Sequence, residues 1–318
     1  MGRPRIPSIV PHNSHNDDHV VHGDSRYAKW CRSAQLRRPG SKGYVNAFVR
    51  AQMKTYGQLA RAGFRRQSSY RLAMIAGLVT NIVFGFIRAA ILFAAVESAG
   101  GTLAGYTRDS ISTYVWLSQA LIGAVNILGS GGSELPERIR NGDVAVDFTR
   151  PVDVQGFYLA ADLGRAAFTL LPRGVPSVLV GALTVGLALP TQIWPYLLGL
   201  VSVALAVSIS FLCGYAVSIL GFWLVETRGV RSLYGVTSSF LAGLFVPVGL
   251  FPDWLSTLAL ATPFPSILQV PVNIISGHVV GTKALKAVAV QCFWVVITCL
   301  VGRALTRAGR HKLEVQGG

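Results

Sequence analysis

The chain has 318 residues, of which 51% are hydrophobic and 14% are charged, and its formal net charge is +15. Soluble domains carry about 25% charged residues, so a soluble chain this poor in charge would struggle to cover its surface. The mean hydropathy of +0.47 favours a polytopic α-helical membrane protein. The four cysteines show no CxxC spacing, which argues against a disulfide framework or a zinc site.

Residues 1–52 differ in composition from the rest of the chain. They are rich in Arg, His, Asn, Pro and Ser and have no periodic apolar pattern, which predicts a disordered basic extension. A segment of different character opens at Met53. Between Tyr56 and Arg71, apolar residues recur at helical spacing and arginines occupy the other positions. A basic amphipathic helix before a span is typical of the cytoplasmic membrane interface, and the alternative is a solvated basic helix.

Six apolar stretches follow, each close to the ~20 residues that cross ~30 Å of hydrocarbon. They cover residues 72–96, 111–128, 175–189, 193–225, 233–250 and 284–305. The third stretch has a helical lead-in from Gln155, where Asp162, Arg165 and Arg173 are expected at the interface. Residues 251–283 are apolar but broken by prolines, so they predict short re-entrant or interfacial helices on the outer side rather than one straight span.

The distribution of Lys and Arg predicts the orientation of these spans. Of the 29 basic residues, 25 lie in four segments on one side of the predicted spans. These segments are residues 1–71, 134–173, 226–231 and 303–318. Because basic residues accumulate on the cytoplasmic side, both termini are predicted in the cytoplasm, with residues 311–318 as a short tail. Most of the net positive charge is then explained by the orientation of the spans and by attraction to anionic lipid, so nucleic-acid binding is a poor explanation for it.

No pattern in the sequence supports an enzyme. Walker, HExxH, GxSxG and CxxC motifs are missing, so no catalytic residue, metal ligand or cofactor site is predicted. Arg88 is the only firm charge inside a predicted span, which makes it a functional candidate; the alternatives are a polar helix contact or snorkelling to the interface. A substrate path would be lined by Arg88 and by the weakly polar residues Asn81, Ser118, Gln119 and Asn126. The near absence of paired intramembrane carboxylates argues against a proton-coupled carrier.

A compact charged island, residues 134–153, separates the second and third apolar stretches. It contains Ile-Arg-Asn-Gly-Asp at Ile139–Asp143 and Arg-Pro-Val-Asp at Arg150–Asp153. On these motifs, and on the order of the helix, spans and loops around them, the chain resembles the type-2 ABC exporter permease family. The resemblance is to its bacterial six-span branch, which has paired permeases and a separate ATPase. It covers residues 53–310, and residues 1–52 have no counterpart.

This resemblance implies an all-α permease in the cell membrane that does no covalent chemistry itself. ATP would be bound by a separate ABC ATPase subunit, and a second six-span permease, identical or related, would complete the path through the bilayer. The loop after the second span would dock into the ATPase, with a second docking turn between spans four and five. The residues implied are Pro136, Arg138, Arg140, Asn141, Gly142, Asp143, Arg150, Pro151 and Asp153, and in the second turn Glu226, Arg228 and Arg231.

The residue types of the island agree with a docking element. Pro136 can begin a short helix, where its missing N–H costs nothing, and Gly142 can end that helix. Pro151 gives a stiff corner, and the alternating charges supply register and partner choice. The alternative is a solvated loop whose internal ion pairs are each worth ~0–1 kcal/mol.

A second function class remains open, a stand-alone secondary carrier or channel not driven by ATP. It would be indicated by internal inverted repeats with broken helices, and no convincing repeat of three plus three spans is visible.

The mostly apolar path suggests a lipid-like or amphiphilic cargo. The direction of transport, export, rests on the resemblance alone.

Overall fold

The computed structural model describes four ranges of the chain, residues 42–127, 134–149, 152–224 and 226–316. The chain separates into two units, Met1–Ala51 and Gln52–Gly318, and the fold described below is that of the second unit. Within the four ranges, the regular secondary structure is helical, apart from an isolated bridge between Leu103 and Tyr106. The predicted all-α class is therefore confirmed.

Twelve α-helices are assigned within the described ranges. They are α1 Lys42–Ser68, α2 Arg71–Ser98, α3 Arg108–Val125, α4 Leu135–Arg140, α5 Val144–Phe148, α6 Val154–Thr169, α7 Val175–Thr184, α8 Trp194–Ile219, α9 Arg228–Leu241, α10 Asp253–Leu260, α11 Gln269–Ile275 and α12 Gly281–Gln316. A π turn joins α6 to α7, and short 3₁₀ turns follow α8, precede α10 and precede α11: these turns are Leu170–Gly174, Leu220–Phe222, Val248–Leu250 and Phe264–Ser266.

Four of these helical segments are long and apolar enough to cross a membrane: Leu72–Ser98, Val154–Thr184, Trp194–Phe222 and Gly281–Lys312. They coincide with the first, third, fourth and sixth predicted spans. The helices at the second and fifth predicted spans are shorter, 18 residues for α3 and 14 residues for α9. Large apolar side chains point outward along α2, α8 and α12, as expected of surfaces that face lipid.

The third predicted span, residues 175–189, has the wrong limits. The helix begins at Val154 and continues through the π turn to Thr184, so the lead-in and the span are one helix. Pro172 lies in the π turn. Proline has no N–H to donate, and the wider turn carries the helix past the position where a regular α-helix would lose a hydrogen bond.

The fifth predicted span, residues 233–250, is wrong in its second half. Helix α9 ends at Leu241, and Gly243 adopts φ +83°, a left-handed conformation that glycine takes without strain. The Tyr114 hydroxyl donates to the Gly243 carbonyl oxygen at 2.7 Å, which fixes the turn against α3. The chain then reaches α10 through a 3₁₀ turn.

The proline-broken segment 251–283 contains α10, α11 and a 3₁₀ turn, so the prediction of short helices there is confirmed. Its central residues are not peripheral. Ile267, Leu268 and Val272 are fully buried in the main apolar cluster, together with residues of α3 and α8. Burial by protein is the condition under which irregular backbone is tolerated in a membrane protein.

Helix α1 begins at Lys42, inside the predicted extension, and residues 1–41 lie outside the described part of the chain. From Gln52 onward, half-buried pairs alternate with exposed pairs that include Arg61, Arg65 and Arg66, which confirms the amphipathic pattern. The half-buried side packs on α6. A Cβ added to Gly63 would lie 2.0 Å from the Ala161 carbonyl oxygen, so the two backbones approach closely because residue 63 is glycine.

Candidate docking loop and membrane cavity

The charged island forms a loop of two short helices, α4 and α5. Its apolar side chains anchor it to the end of α8, because Leu135, Ile139 and Val144 are buried against an aromatic and aliphatic patch there. That patch consists of Phe211, Leu212, Tyr215 and Ile219. The loop is therefore a packed element of the fold, and its position is fixed relative to the long helices.

The predicted limits of the first short helix are confirmed. Pro136 lies in the first turn of α4, and Asn141 caps its C-terminus. Gly142 follows with φ +79°, and a Cβ at that residue would meet nothing within 4 Å, so the glycine serves the backbone conformation. Asn141, Gly142 and Asp143 are exposed and form the tip of the loop.

One ion pair holds the loop in shape. The Nε and Nη2 atoms of Arg138 donate to the two carboxylate oxygens of Asp147 at 3.0 and 3.1 Å. The Tyr158 hydroxyl donates to the same carboxylate at 2.8 Å. The Asp147 side chain is 3% exposed and that of Arg138 is 31% exposed. Of the residues implied in docking, Arg138 thus makes its main contacts inside the protein, and the sequence analysis did not identify its partner.

The end of the loop is also tied to its own backbone. The Asp153 carboxylate accepts a hydrogen bond from the Gly156 backbone N–H at 2.8 Å and so caps the N-terminus of α6. Arg150 and Pro151 lie outside the described residues. At the other end, Arg66 of α1 donates to the Glu134 carboxylate, and this hydrogen bond lowers the pKa of Glu134.

A groove of about 510 Å³ brings the two predicted docking elements together. Pro136, Glu137 and Arg140 line it from α4. Glu226 lines it from the segment before α9, and Arg228 and Arg231 from the first turn of α9. Both apolar and charged residues line the groove. The apolar set is Ile139, Phe222, Trp223 and Leu224, and Lys312 adds a further cation from α12. Basic side chains outnumber acidic ones in the lining of this groove, which favours an acidic partner surface.

The second turn is ordered by its own acidic residue. The backbone N–H of Arg228 donates to the Glu226 carboxylate at 3.0 Å, and this bond lowers the pKa of Glu226. The Arg228 guanidinium lies 3.8 Å from the same carboxylate, and both side chains are exposed. Glu226 therefore stays charged at neutral pH and presents a fixed negative charge beside the cations of the groove.

A second cavity, of about 520 Å³, is lined by four of the five residues predicted for the substrate path, Asn81, Arg88, Gln119 and Asn126. The fifth, Ser118, is buried outside the lining and accepts a hydrogen bond from Arg88. Their spacing explains why they meet. Asn81 and Arg88 are seven residues apart on α2, and Gln119 and Asn126 are seven apart along α3, so each pair lies on one side of its helix. Four of the predicted path residues thus line one cavity.

Two further arginines line this cavity, and the sequence analysis had placed both at the interface. Arg165 and Arg173 stand eight residues apart on the helix that runs from α6 through the π turn, so both face the same side. Arg173 Nη2 donates to the Gly77 carbonyl oxygen at 3.2 Å and to Asn81 Oδ1 at 3.0 Å. The eight-residue spacing was a signal in the sequence that could have identified them.

The long apolar helices, the polar cavity between them and the charged groove at the loop define a helical membrane transport component. Within the described ranges, no three His, Cys, Asp or Glu side chains are grouped to hold a metal ion. The family model of the ABC-2 family transporter proteins matches residues 74–317, and the chain belongs to that family. A comparison with curated proteins finds no match. The resemblance carried by the two motifs of the island is confirmed at the level of the family, and the protein is a membrane permease of the ABC transporter class.

Proposed function

We propose that this chain is the membrane-spanning subunit of an ATP-driven ABC exporter in the cell membrane. It pairs with a second permease, identical or related, and docks a separate ABC ATPase through its cytoplasmic loops. The observation that carries the proposal is the convergence of two separate chain segments, α4 and the turn at 226–231, on one groove. Energy for transport enters at that groove, because the sequence offers neither a nucleotide motif nor a proton relay.

Hydrogen bonding within the protein divides the predicted docking residues of the loop into two groups. Arg140, Asn141, Gly142 and Asp143 are exposed and form the contact surface in this proposal. Arg138 and Asp153, which are bonded within the protein, set the shape of that surface. The apolar residues of the groove, with Trp223 and Leu224 each 39% exposed, supply the area that an acidic ridge of the ATPase would bury. The charged residues of the groove then select the partner and its register.

The proposed topology has six spans with both termini in the cytoplasm. The charge distribution supports it, because it places the loop, the turn at 226–231 and the basic end of α12 on one side. In this topology α3 and α9 complete the set of six. Helix α3 needs less apolar surface than the other spans because its side chains from Ile111 to Leu121 are buried by protein. The segment with α10 and α11 re-enters from the outer side.

A charge reversal at the loop tip tests the docking proposal. The double variant Arg140→Glu and Asp143→Arg changes two exposed residues and disturbs no buried one. Affinity purification of the permease from its native membrane should recover an ABC ATPase with the wild-type chain and lose it with this variant. The matched control is Arg108→Glu with Glu97→Arg, which reverses an exposed pair on the predicted outer side.

Two outcomes would overturn the proposal. One is full recovery of the ATPase with the loop variant while membrane insertion is normal. The other is transport by the purified chain in vesicles without ATP or any partner, which would instead establish the stand-alone carrier or channel.

A further inference from the structure

The cavity between α2, α3 and the long helix of α6 and α7 is strongly cationic. Arg88, Arg165 and Arg173 line it, and no Asp or Glu is among the described residues of its lining. The lining also includes four large apolar side chains: Phe84, Ile122, Leu244 and Phe245. A space that combines guanidinium groups with aliphatic and aromatic surface is suited to a ligand with one charged end and one apolar end.

Arg88 is the least compensated of these cations. Its side chain is buried, with the residue 8% exposed, and its Nη1 donates a hydrogen bond to the neutral Ser118 Oγ at 3.1 Å. The Nε and Nη2 atoms have no hydrogen-bond partner among the described residues. A buried charge is costly unless it is both paired and hydrogen-bonded. The Nε and Nη2 atoms of this guanidinium still lack acceptors, and its charge still lacks a counter-ion among the described residues.

Arg173, from the π turn, repeats this pattern of incomplete hydrogen bonding. Its guanidinium is held by two neutral oxygens, those of Gly77 and Asn81, and its Nε has no partner among the described residues. A Cβ at Gly77 would lie 2.7 Å from the Arg173 Cζ, so the guanidinium fits there because residue 77 is glycine. The contact between the Arg173 guanidinium and Gly77 is therefore part of the packing between the two helices.

Arg165 differs, because it already has a counter-ion. Its Nε donates to Asp162 Oδ1 at 2.6 Å and its Nη2 to Asp162 Oδ2 at 3.1 Å. The remaining donors reach the Gly123 and Ala124 carbonyl oxygens at the end of α3. The uncompensated positive charge of the cavity therefore belongs to Arg88 and Arg173.

We propose that this cavity binds an anionic group, a phosphate or carboxylate at the end of an amphiphile, between Arg88 and Arg173. The planar guanidinium matches such an anion through paired N–H donors. Asn81 and Gln119 line the same cavity and supply polar contacts, while the apolar lining holds the start of the hydrocarbon part. The inference concerns binding alone and stands whether or not an ATPase drives this chain.

The test uses the full chain in nanodiscs of phosphatidylcholine. Binding of fluorescent phosphatidic acid is measured by energy transfer from the protein's tryptophans, with fluorescent phosphatidylcholine as the neutral comparison. Arg88→Gln and Arg173→Gln should each weaken phosphatidic acid binding by about 10- to 100-fold, the worth of one charge-assisted hydrogen bond. Lys283→Gln, which removes an exposed cation outside the cavity, should leave binding unchanged.

Arg88→Lys keeps the charge and should restore part of the affinity, which separates loss of the anion contact from loss of the fold. Inorganic phosphate alone is titrated as a competitor. Competition that depends on Arg88 assigns the site to free anions as well, and its absence assigns the site to amphiphiles. Equal affinity of wild type and Arg88→Gln in well-folded samples, or equal binding of the neutral lipid, would overturn the proposal.

Discussion

Replacing Arg138 by methionine should release the docking loop from the body of the protein. The change removes the two hydrogen bonds from the guanidinium to the Asp147 carboxylate, which is 3% exposed. Breaking a fully buried ion pair costs about 3–5 kcal/mol. Arg138 is 31% exposed and Tyr158 still donates to the carboxylate, so water and the tyrosine offset part of that cost. We expect a loss of about 2–3 kcal/mol in the local stability of the loop.

Hydrogen exchange of residues 135–149 measures this loss directly. A change of 1.4 kcal/mol corresponds to a factor of ten, so amide exchange in the loop should become roughly 30- to 150-fold faster. Arg140→Met is the matched control, because its guanidinium lies 3.8 Å from Glu137 and both side chains are exposed. The double variant Arg138→Met with Asp147→Leu should recover most of the protection, since both charges are then removed. Equal exchange in Arg138→Met and Arg140→Met would refute the reasoning.

Three further changes test the packing of the helices. Gly63→Leu should separate α1 from α6, because its Cβ would lie 2.0 Å from the Ala161 carbonyl oxygen, and trypsin should then cleave α1 faster. Gln291→Leu should lower the free energy of unfolding in detergent titration by about 1–2 kcal/mol, because three buried hydrogen bonds to two serines are lost. The hydrogen bond from Arg66 lowers the pKa of Glu134 below 4.5. The Arg66–Glu134 contact is therefore present above pH 4.5 and is lost as the pH falls through the lowered pKa. Spin-label distances between α1 and the loop should widen over that acid range.

Each of these has an internal check. Gly57→Leu is the matched control for Gly63→Leu, because a Cβ at Gly57 meets nothing within 4 Å, and equal cleavage of the two variants would contradict the packing argument. An unchanged unfolding transition in Gln291→Leu would mean that those hydrogen bonds add nothing. Spin-label distances that stay constant through acid pH in wild type, or that change equally in Glu134→Gln, would contradict the titration of Glu134.

Most of the predicted cavity residues could be identified from the sequence because side chains seven residues apart lie on the same side of an α-helix. Asn81 and Arg88 are polar positions in an apolar run, and a polar residue inside a span has to find other polar residues or a cavity. The helical period then places them on one side of α2. The sequence analysis did not place the helix of α6 and the π turn beside the cavity. When residues 175–189 are taken as the span, the arginines of that helix are predicted at the interface.

The docking loop shows a different limit. Composition and motif located it, and proline and glycine marked the ends of α4. These two residue types predict helix ends because each has a distinctive backbone conformational preference. The pairing of Arg138 with Asp147 depends on how α5 folds back beside α4 and on burial by α8, and neither follows from local pattern. In the same way, the left-handed turn at Gly243 depends on a tyrosine far away in the chain.

Helix α6 joins the two sites physically. Tyr158, near its start, holds the Asp147 carboxylate of the loop, and Arg173 lies 15 residues further on, about 22 Å along the helix axis at 1.5 Å per residue. In the proposed permease, a displacement of the loop moves this helix and shifts Arg173 relative to Arg88 on α2. Such coupling is reciprocal, so an anion in the cavity has to influence the loop as well.

That reciprocity gives a final measurement. Nanodiscs containing phosphatidic acid should slow hydrogen exchange of residues 135–149 relative to nanodiscs of phosphatidylcholine alone. The effect should vanish in Arg173→Gln, which loses the cation in the π turn that follows α6, and persist in Lys283→Gln. Loop exchange that is the same in both lipids, while the anion still binds, would mean that α6 does not transmit between the sites and that the loop and the cavity act independently.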